Sequence, residues 1–122
     1  MDTPTRLRAC QLFSALSNPS RLRITELLCS KPMSVNEICA ALSLGQSATS
    51  QNLASLTQVG VLRVEQRGAQ RIYHVRGPRI SSILSLIGEY CQVQGLFGDG
   101  EMQGDYRTED AHSALPDIGA SS

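Results

Sequence analysis

Four small polar side chains, Gln46, Ser47, Ser50 and Gln51, recur at a spacing that places them on one side of a helix near its start. Amides and hydroxyls on such a face can form short hydrogen bonds with base edges, glutamine favouring adenine. Three arginines follow, Arg63, Arg67 and Arg71, spaced to reach phosphates or the minor groove. The remaining reactive set is four cysteines, Cys10, Cys29, Cys39 and Cys91. A thiol can be oxidised, bind a soft metal, or pack as a small hydrophobe. These four form no C-x-x-C pair, no cysteine pairs with a histidine in a plausible cleft, and no Gly-rich cofactor loop occurs, so neither an enzyme nor a cofactor is expected. The two histidines, His74 and His112, read as solvent-exposed rather than as ligands.

The stretch that must position the polar tetrad runs from Ser34 to Leu62. Val35, Ile38, Leu42 and Leu44 give a short helix and its turn a buried side. Leu53 and Leu56, with Val59 behind them, do the same for the next helix. Ser34 with Glu37 three residues on has the capping-box spacing. Leu44-Gly45 forms the turn, with Gly45 as N-cap of the second helix, and Gly60 suits that helix's C-terminal cap. A helix with small polar residues at its tip, held by a preceding helix, suits insertion into a DNA major groove.

The flanking elements complete a single domain. Thr5 to Leu16 carries Leu12, Phe13 and Leu16 on one stripe with Ala9 beneath and Cys10 beside it, the pattern of an amphipathic helix. Asn18-Pro19-Ser20 breaks the chain, Asn18 or Ser20 capping a second helix over Arg21 to Cys29. Lys31-Pro32 ends it. Val61 to Arg67 and Gln70 to Arg76 alternate as strands about a tip at Gly68-Ala69, with Leu62, Val64 and Ile72 on one side and His74 opposite. A last helix from Pro78 to about Gln92 carries Ile80, Ile83, Leu84, Ile87, Tyr90 and Cys91 at helical spacing, widened by Leu86. That face is too apolar to be left in water, and it predicts packing against the first helix and against a second copy. The fold expected is mainly α with a β-hairpin wing, a winged helix-turn-helix in the order α-α-α-α-β-β-α, forming a homodimer through the first and last helices.

Charge is distributed unevenly. The 122 residues sum to zero, yet residues 1–94 hold ten Lys and Arg against five Asp and Glu, whereas residues 95–122 hold one Arg against six. A basic domain followed by an acidic, Gly-, Asp- and Ser-rich tail, expected to be disordered, remains compatible with phosphate binding. No apolar run approaches the roughly 20 residues that cross a bilayer. The start of the chain lacks an apolar signal region, and the cysteine usage fits a reducing cytoplasm.

The segments LFSALSNPSRLRI, SV-x-E-I, QSATSQNLASL, the G-V-L turn and RGAQRIYHV resemble the ArsR-type (ArsR/SmtB) winged-helix repressors. The resemblance covers about residues 11–92. It implies a homodimer that binds an inverted repeat in double-stranded DNA and is released by a chemical signal. Carried over by position, Gln46, Ser47, Ser50 and Gln51 match DNA contacts, Arg67 and Arg71 match the wing, and Thr49 takes a position usually buried. The family's third-helix metal box would fall on Ser34 and Asn36, with only Cys39 as a thiol. Its last-helix zinc site would fall on Gly77, Arg79 and Tyr90. Neither usual metal site is therefore expected. Tyr90-Cys91-Gln92 resembles the HlyU/BigR-like thiol-sensing branch, whose partner cysteine would fall on Glu26; Cys29, one turn on, and Cys10 are the alternatives. The resemblance implies a repressor sensing thiol oxidation or reactive sulfur at Cys91 with Cys10 or Cys29. An arsenite- or metal-responsive repressor with a non-standard cysteine site, and a constitutive repressor without a sensing thiol, stand as alternatives.

Overall fold

The computed structural model describes residues 1–94, so the tail expected over residues 95–122 lies outside the described residues. The first three helices each begin where a side chain accepts from one of the free N–H groups. Helix α1 (Thr3–Leu16) is capped by Asp2, whose side chain accepts from Thr5 N at 2.9 Å, and α2 (Pro19–Ser30) by Asn18, which accepts from Arg21 N at 3.0 Å. Pro19 sits in the first turn, where its missing N–H costs nothing. Arg21 then ties the two helices together, its Nε donating to the Ala15 carbonyl at 2.6 Å.

A two-residue strand, β1 (Met33–Ser34), leads into α3 (Val35–Leu42). The capping box is complete: Ser34 N donates to Glu37 Oε1 at 2.9 Å and Glu37 N donates to Ser34 Oγ at 3.2 Å. The turn between α3 and α4 (Gln46–Gln58) places its left-handed residue at Ser43, φ 55°, while Gly45 is extended and forms the N-cap.

At the far end of α4, Gly60 adopts φ 85°. Gly60 N donates to Thr57 O at 3.1 Å and Val61 N to Leu56 O at 3.0 Å, the two bonds of a Schellman cap. Leu56 and Val61 are both fully buried, which adds the apolar contact such caps favour. Val61 also accepts from Arg76 N at 2.9 Å through its own carbonyl, closing the base of the hairpin.

That hairpin is β2 (Leu62–Arg67) and β3 (Gln70–Val75), turning through Gly68 at φ 62°. The sheet is antiparallel in the order β1-β3-β2, and α5 (Pro78–Gln94) follows. The register pairs Leu62 with Val75, Val64 with Tyr73, Glu65 with Ile72 and Arg67 with Gln70. Directly opposed residues share a face. Tyr73, not Ile72, therefore lies with Leu62 and Val64 on the core side, and Ile72 shares the other face with His74, which corrects the alternation expected from sequence. Ile72 is buried on that face because β3 is the central strand, with Glu65 on one side and Ser34 of β1 on the other.

The core joins Ala15, Ile24, Leu28, Met33, Ile38, Leu53, Leu56, Val61, Leu62 and Tyr73, so every element from α1 to β3 contributes. In contrast, Leu7 and Phe13 of α1 and Leu86 and Tyr90 of α5 are 55–65% exposed in the protomer. Of the α1 stripe, Leu12 and Leu16 are half-buried and Phe13 is exposed in the protomer, while Ala15 is the buried residue of that helix.

Candidate nucleic-acid interface

Helix α4 divides cleanly between two environments. Thr49, Leu53 and Leu56, at i, i+4 and i+7, are buried with no residual exposure. Gln46, Ser47, Ser50 and Gln51, at the start of the helix, are all exposed. The structure thus brings the four sequence-predicted residues together on one turn and a half of helix. Gly45 supplies no side-chain acceptor at the N-cap, and the first turn holds no acidic residue. Its free N–H groups and the positive end of the helix dipole remain open to an anion. Thr49 sits in the core as its position implied, but its hydroxyl finds no hydrogen-bond partner.

The wing carries its arginines on two faces. Arg63 and Arg67 lie with Glu65 on the outer face, whereas Arg71, paired with Gln66, lies on the core-facing side where the tip extends past the core. All three are exposed. Gln66 braces the tip, its Nε2 donating to Gly68 O at 3.0 Å. Two residues that the sequence reading did not assign to the site, Glu65 and His74, join it here. Glu65 Oε1 accepts from Arg67 Nη2 at 3.0 Å and from His74 Nε2 at 2.7 Å. Both bonds hold the Glu65 carboxyl below the usual carboxylate range, the His74 bond most. His74 was expected in solvent; its side chain is only 14% exposed. The signal available in sequence was Glu65 two residues before Arg67 on one strand face, but its link to His74 depends on register.

Residues 18–64, from the cap of α2 to the start of the wing, match the sequence profile of the bacterial regulatory proteins of the arsR family. The transcriptional activator HlyU of Vibrio cholerae is 31% identical over 87 residues, which span 70% of this chain and 81% of HlyU. The chain belongs to the arsR family. A second relative, the HTH-type transcriptional regulator YgaV of Escherichia coli, is 36% identical over 87 residues, 69% of this chain and 87% of YgaV. Among solved structures, V. cholerae HlyU superposes with a TM-score of 0.66 at 29% identity, covering 75% of this chain and 99% of HlyU. The Mycobacterium tuberculosis protein Rv0081 gives 0.67 at 30% identity, with 75% and 92% covered. The arsR fold is thus a winged helix-turn-helix, and the relatives are transcriptional regulators rather than enzymes.

The cysteines of this arsR-family chain occupy different settings. All four are free. Cys10 on α1 and Cys91 on α5 are exposed, and they lie on the two helices that also expose large apolar side chains. Cys29 is half-buried; burial pushes its thiol up, the Glu26 carboxylate adds to this, and a hydrogen bond with Ser81 of α5 partly offsets it. Cys39 is half-buried on α3. Among the described residues, no three His, Cys, Asp or Glu side chains gather as a metal site.

Proposed function

We propose that the chain is a homodimeric, DNA-binding transcriptional repressor that reads an inverted repeat with α4 and the wing. The observation that carries this reading is the division of α4 between a buried Thr49–Leu53–Leu56 side and an exposed Gln46–Ser47–Ser50–Gln51 side. Two such helices, held about one DNA turn (~34 Å) apart by a symmetric dimer, enter successive major grooves. Arg67 and Arg71 supply salt-sensitive phosphate or minor-groove contacts. The dimer is supported by Leu7, Phe13, Leu86 and Tyr90, large apolar side chains exposed on α1 and α5 that a second copy would remove from water. A bacterial cytoplasm, where the DNA is, is the corresponding location.

Release by a thiol-directed signal is the second part of the proposal. An oxidant that takes two electrons and two protons from a pair of thiols joins them as a disulfide; a polysulfide gives up two sulfane sulfurs as its S–S bonds break, one bridging the pair as RS–S–SR and the other taking both electrons and both protons and leaving as hydrogen sulfide. Exposed Cys91 and Cys10 are the better pair on accessibility, and Cys29 the weaker. A bridge on α1 or α5 would alter the spacing of the two reading helices. Coupling of about 1–3 kcal/mol changes affinity by roughly 5- to 150-fold. HlyU is named an activator, so the opposite regulatory sign is the second reading.

The deciding experiment selects duplexes from a random pool, then measures binding of wild type and single Cys→Ser variants with and without oxidant, polysulfide and arsenite. Salt-dependent binding lost on oxidation, with the loss abolished in Cys91→Ser, supports the whole reading. Equal binding under all treatments removes the sensing half; no salt-dependent binding to any duplex removes the rest. A promoter fusion carrying the selected site gives the regulatory sign.

A further inference from the structure

The outer face of the wing holds a chain of three side chains that runs from interior to solvent. His74 is 14% exposed, Glu65 39% and Arg67 63%. Both neighbours meet the same oxygen, Glu65 Oε1, His74 at 2.7 Å and Arg67 at 3.0 Å. A carboxylate can only accept, so His74 Nε2 carries the hydrogen in that contact. The arrangement follows from register. Arg67 is two residues beyond Glu65 on the same face, and His74 is the diagonal cross-strand neighbour, since Glu65 pairs with Ile72.

An isolated surface ion pair is weak, because two long side chains must be ordered for one screened contact. Here the half-buried imidazole already fixes the carboxylate, so only Arg67 remains to be ordered. Bound carboxylate also changes what the arginine offers to DNA. A free guanidinium attracts every phosphate equally; one facing a carboxylate presents little net charge but keeps its remaining N–H donors in a set direction.

We propose that Glu65, anchored by His74, is a positioning residue that presets Arg67 for DNA, so that Arg67 contributes discrimination between sequences more than general attraction to the backbone, which Arg71 supplies. The inference rests on the DNA-binding reading above. It assigns a role in recognition to an acidic residue on a surface where acid would ordinarily only repel.

The test uses the full chain, a duplex that wild type has selected from a random pool, and a scrambled duplex of equal composition. Affinity for each is measured over a salt series. Glu65→Gln binds the scrambled duplex more tightly, with a log–log salt slope steeper by up to about 0.9, as one more uncancelled cation predicts. Its selected-to-scrambled ratio falls roughly 3- to 10-fold, the order expected when an arginine is ordered on binding instead of beforehand. Glu65→Asp keeps the charge but shortens the reach by one methylene, and its ratio falls as well. In an Arg67→Ala background neither substitution changes the ratio further. Thermal melts of each variant report that the fold is retained. Glu65→Gln raising both affinities by one factor, Glu65→Asp keeping the wild-type ratio, or the ratio falling again in the Arg67→Ala background would each overturn the inference. A wild type with no salt-dependent binding to either duplex overturns the DNA-binding reading itself.

Discussion

Replacing Thr49 with valine separates a core role from a reading role at the centre of α4. The Thr49 hydroxyl is fully buried and has no hydrogen-bond partner. Leaving a buried hydroxyl unpaired costs about 1–3 kcal/mol relative to a group of the same shape that needs no partner. Valine has that shape, is also β-branched, and has nearly the same helix propensity. Leu53, one turn on, shares the fully buried side of the helix with Thr49. Thr49→Val is therefore expected to gain about 1–2 kcal/mol; at roughly 4–8 °C per kcal/mol for a domain of this size, Tm rises visibly. Binding to a selected duplex should stay within about 2-fold, since the side chain does not reach the exposed face. The assay is a thermal melt by circular dichroism at matched protomer concentration, because dimer formation makes Tm concentration-dependent, paired with fluorescence anisotropy on the duplex. A lower Tm would mean that the hydroxyl is satisfied after all. An unchanged Tm with lost discrimination would mean that α4 is rotated and Thr49 reads DNA, which would refute the division of the helix on which the function rests.

Ser43 adopts φ 55° at the end of α3, where a side chain costs about 1–2 kcal/mol; Ser43→Gly is expected to raise the urea midpoint without altering the selected DNA sequence. Glu37, lowered chiefly by its bond from the Ser34 backbone, and Glu65, lowered chiefly by His74, both have depressed folded values. Their stabilisation is thus complete above the ordinary carboxylate range and is lost as pH falls through the folded values; urea midpoints measured from neutral to about pH 3 should drop, less steeply in Glu37→Gln. Leu86→Glu places a charge on the exposed apolar patch of α5 and is expected to give monomers by light scattering, with a fold still intact by circular dichroism; a persisting dimer would relocate the interface. Arg71→Ala should weaken binding to selected and scrambled duplexes alike and flatten the salt slope by about 0.9.

How much of this could be read from sequence depended on how local each cause was. The capping box at Ser34 and Glu37, the break at Asn18-Pro19 and the cap at Gly60 involve partners within five residues, and the structure places each as expected. The polar tetrad of α4 was equally legible, since helical periodicity gathers Gln46, Ser47, Ser50 and Gln51 within one arc beside the Thr49–Leu53–Leu56 stripe. Strand β1 was not, because two residues have no alternation to detect and exist as a strand only through Tyr73 and Ile72. The same non-local pairing misled the reading of the wing. Consecutive Ile72 and Tyr73 are both buried, one beneath each face of the central strand, so alternation in β3 offered no unambiguous phase. Glu65 and His74, nine residues apart, could be joined only once register was known. The α3–α4 turn shows a subtler miss: Gly45 drew attention as the turn residue, while Ser43 carries the left-handed strain.

Val61 gives the molecule a mechanical property of its own. Its N–H closes the end of α4 and its carbonyl receives the last bond at the foot of the hairpin, so one fully buried residue joins helix and wing. A displacement of the helix end is therefore passed to the foot of the hairpin through one shared residue rather than across a loop. If DNA is released as proposed, groove and backbone contacts are expected to weaken together.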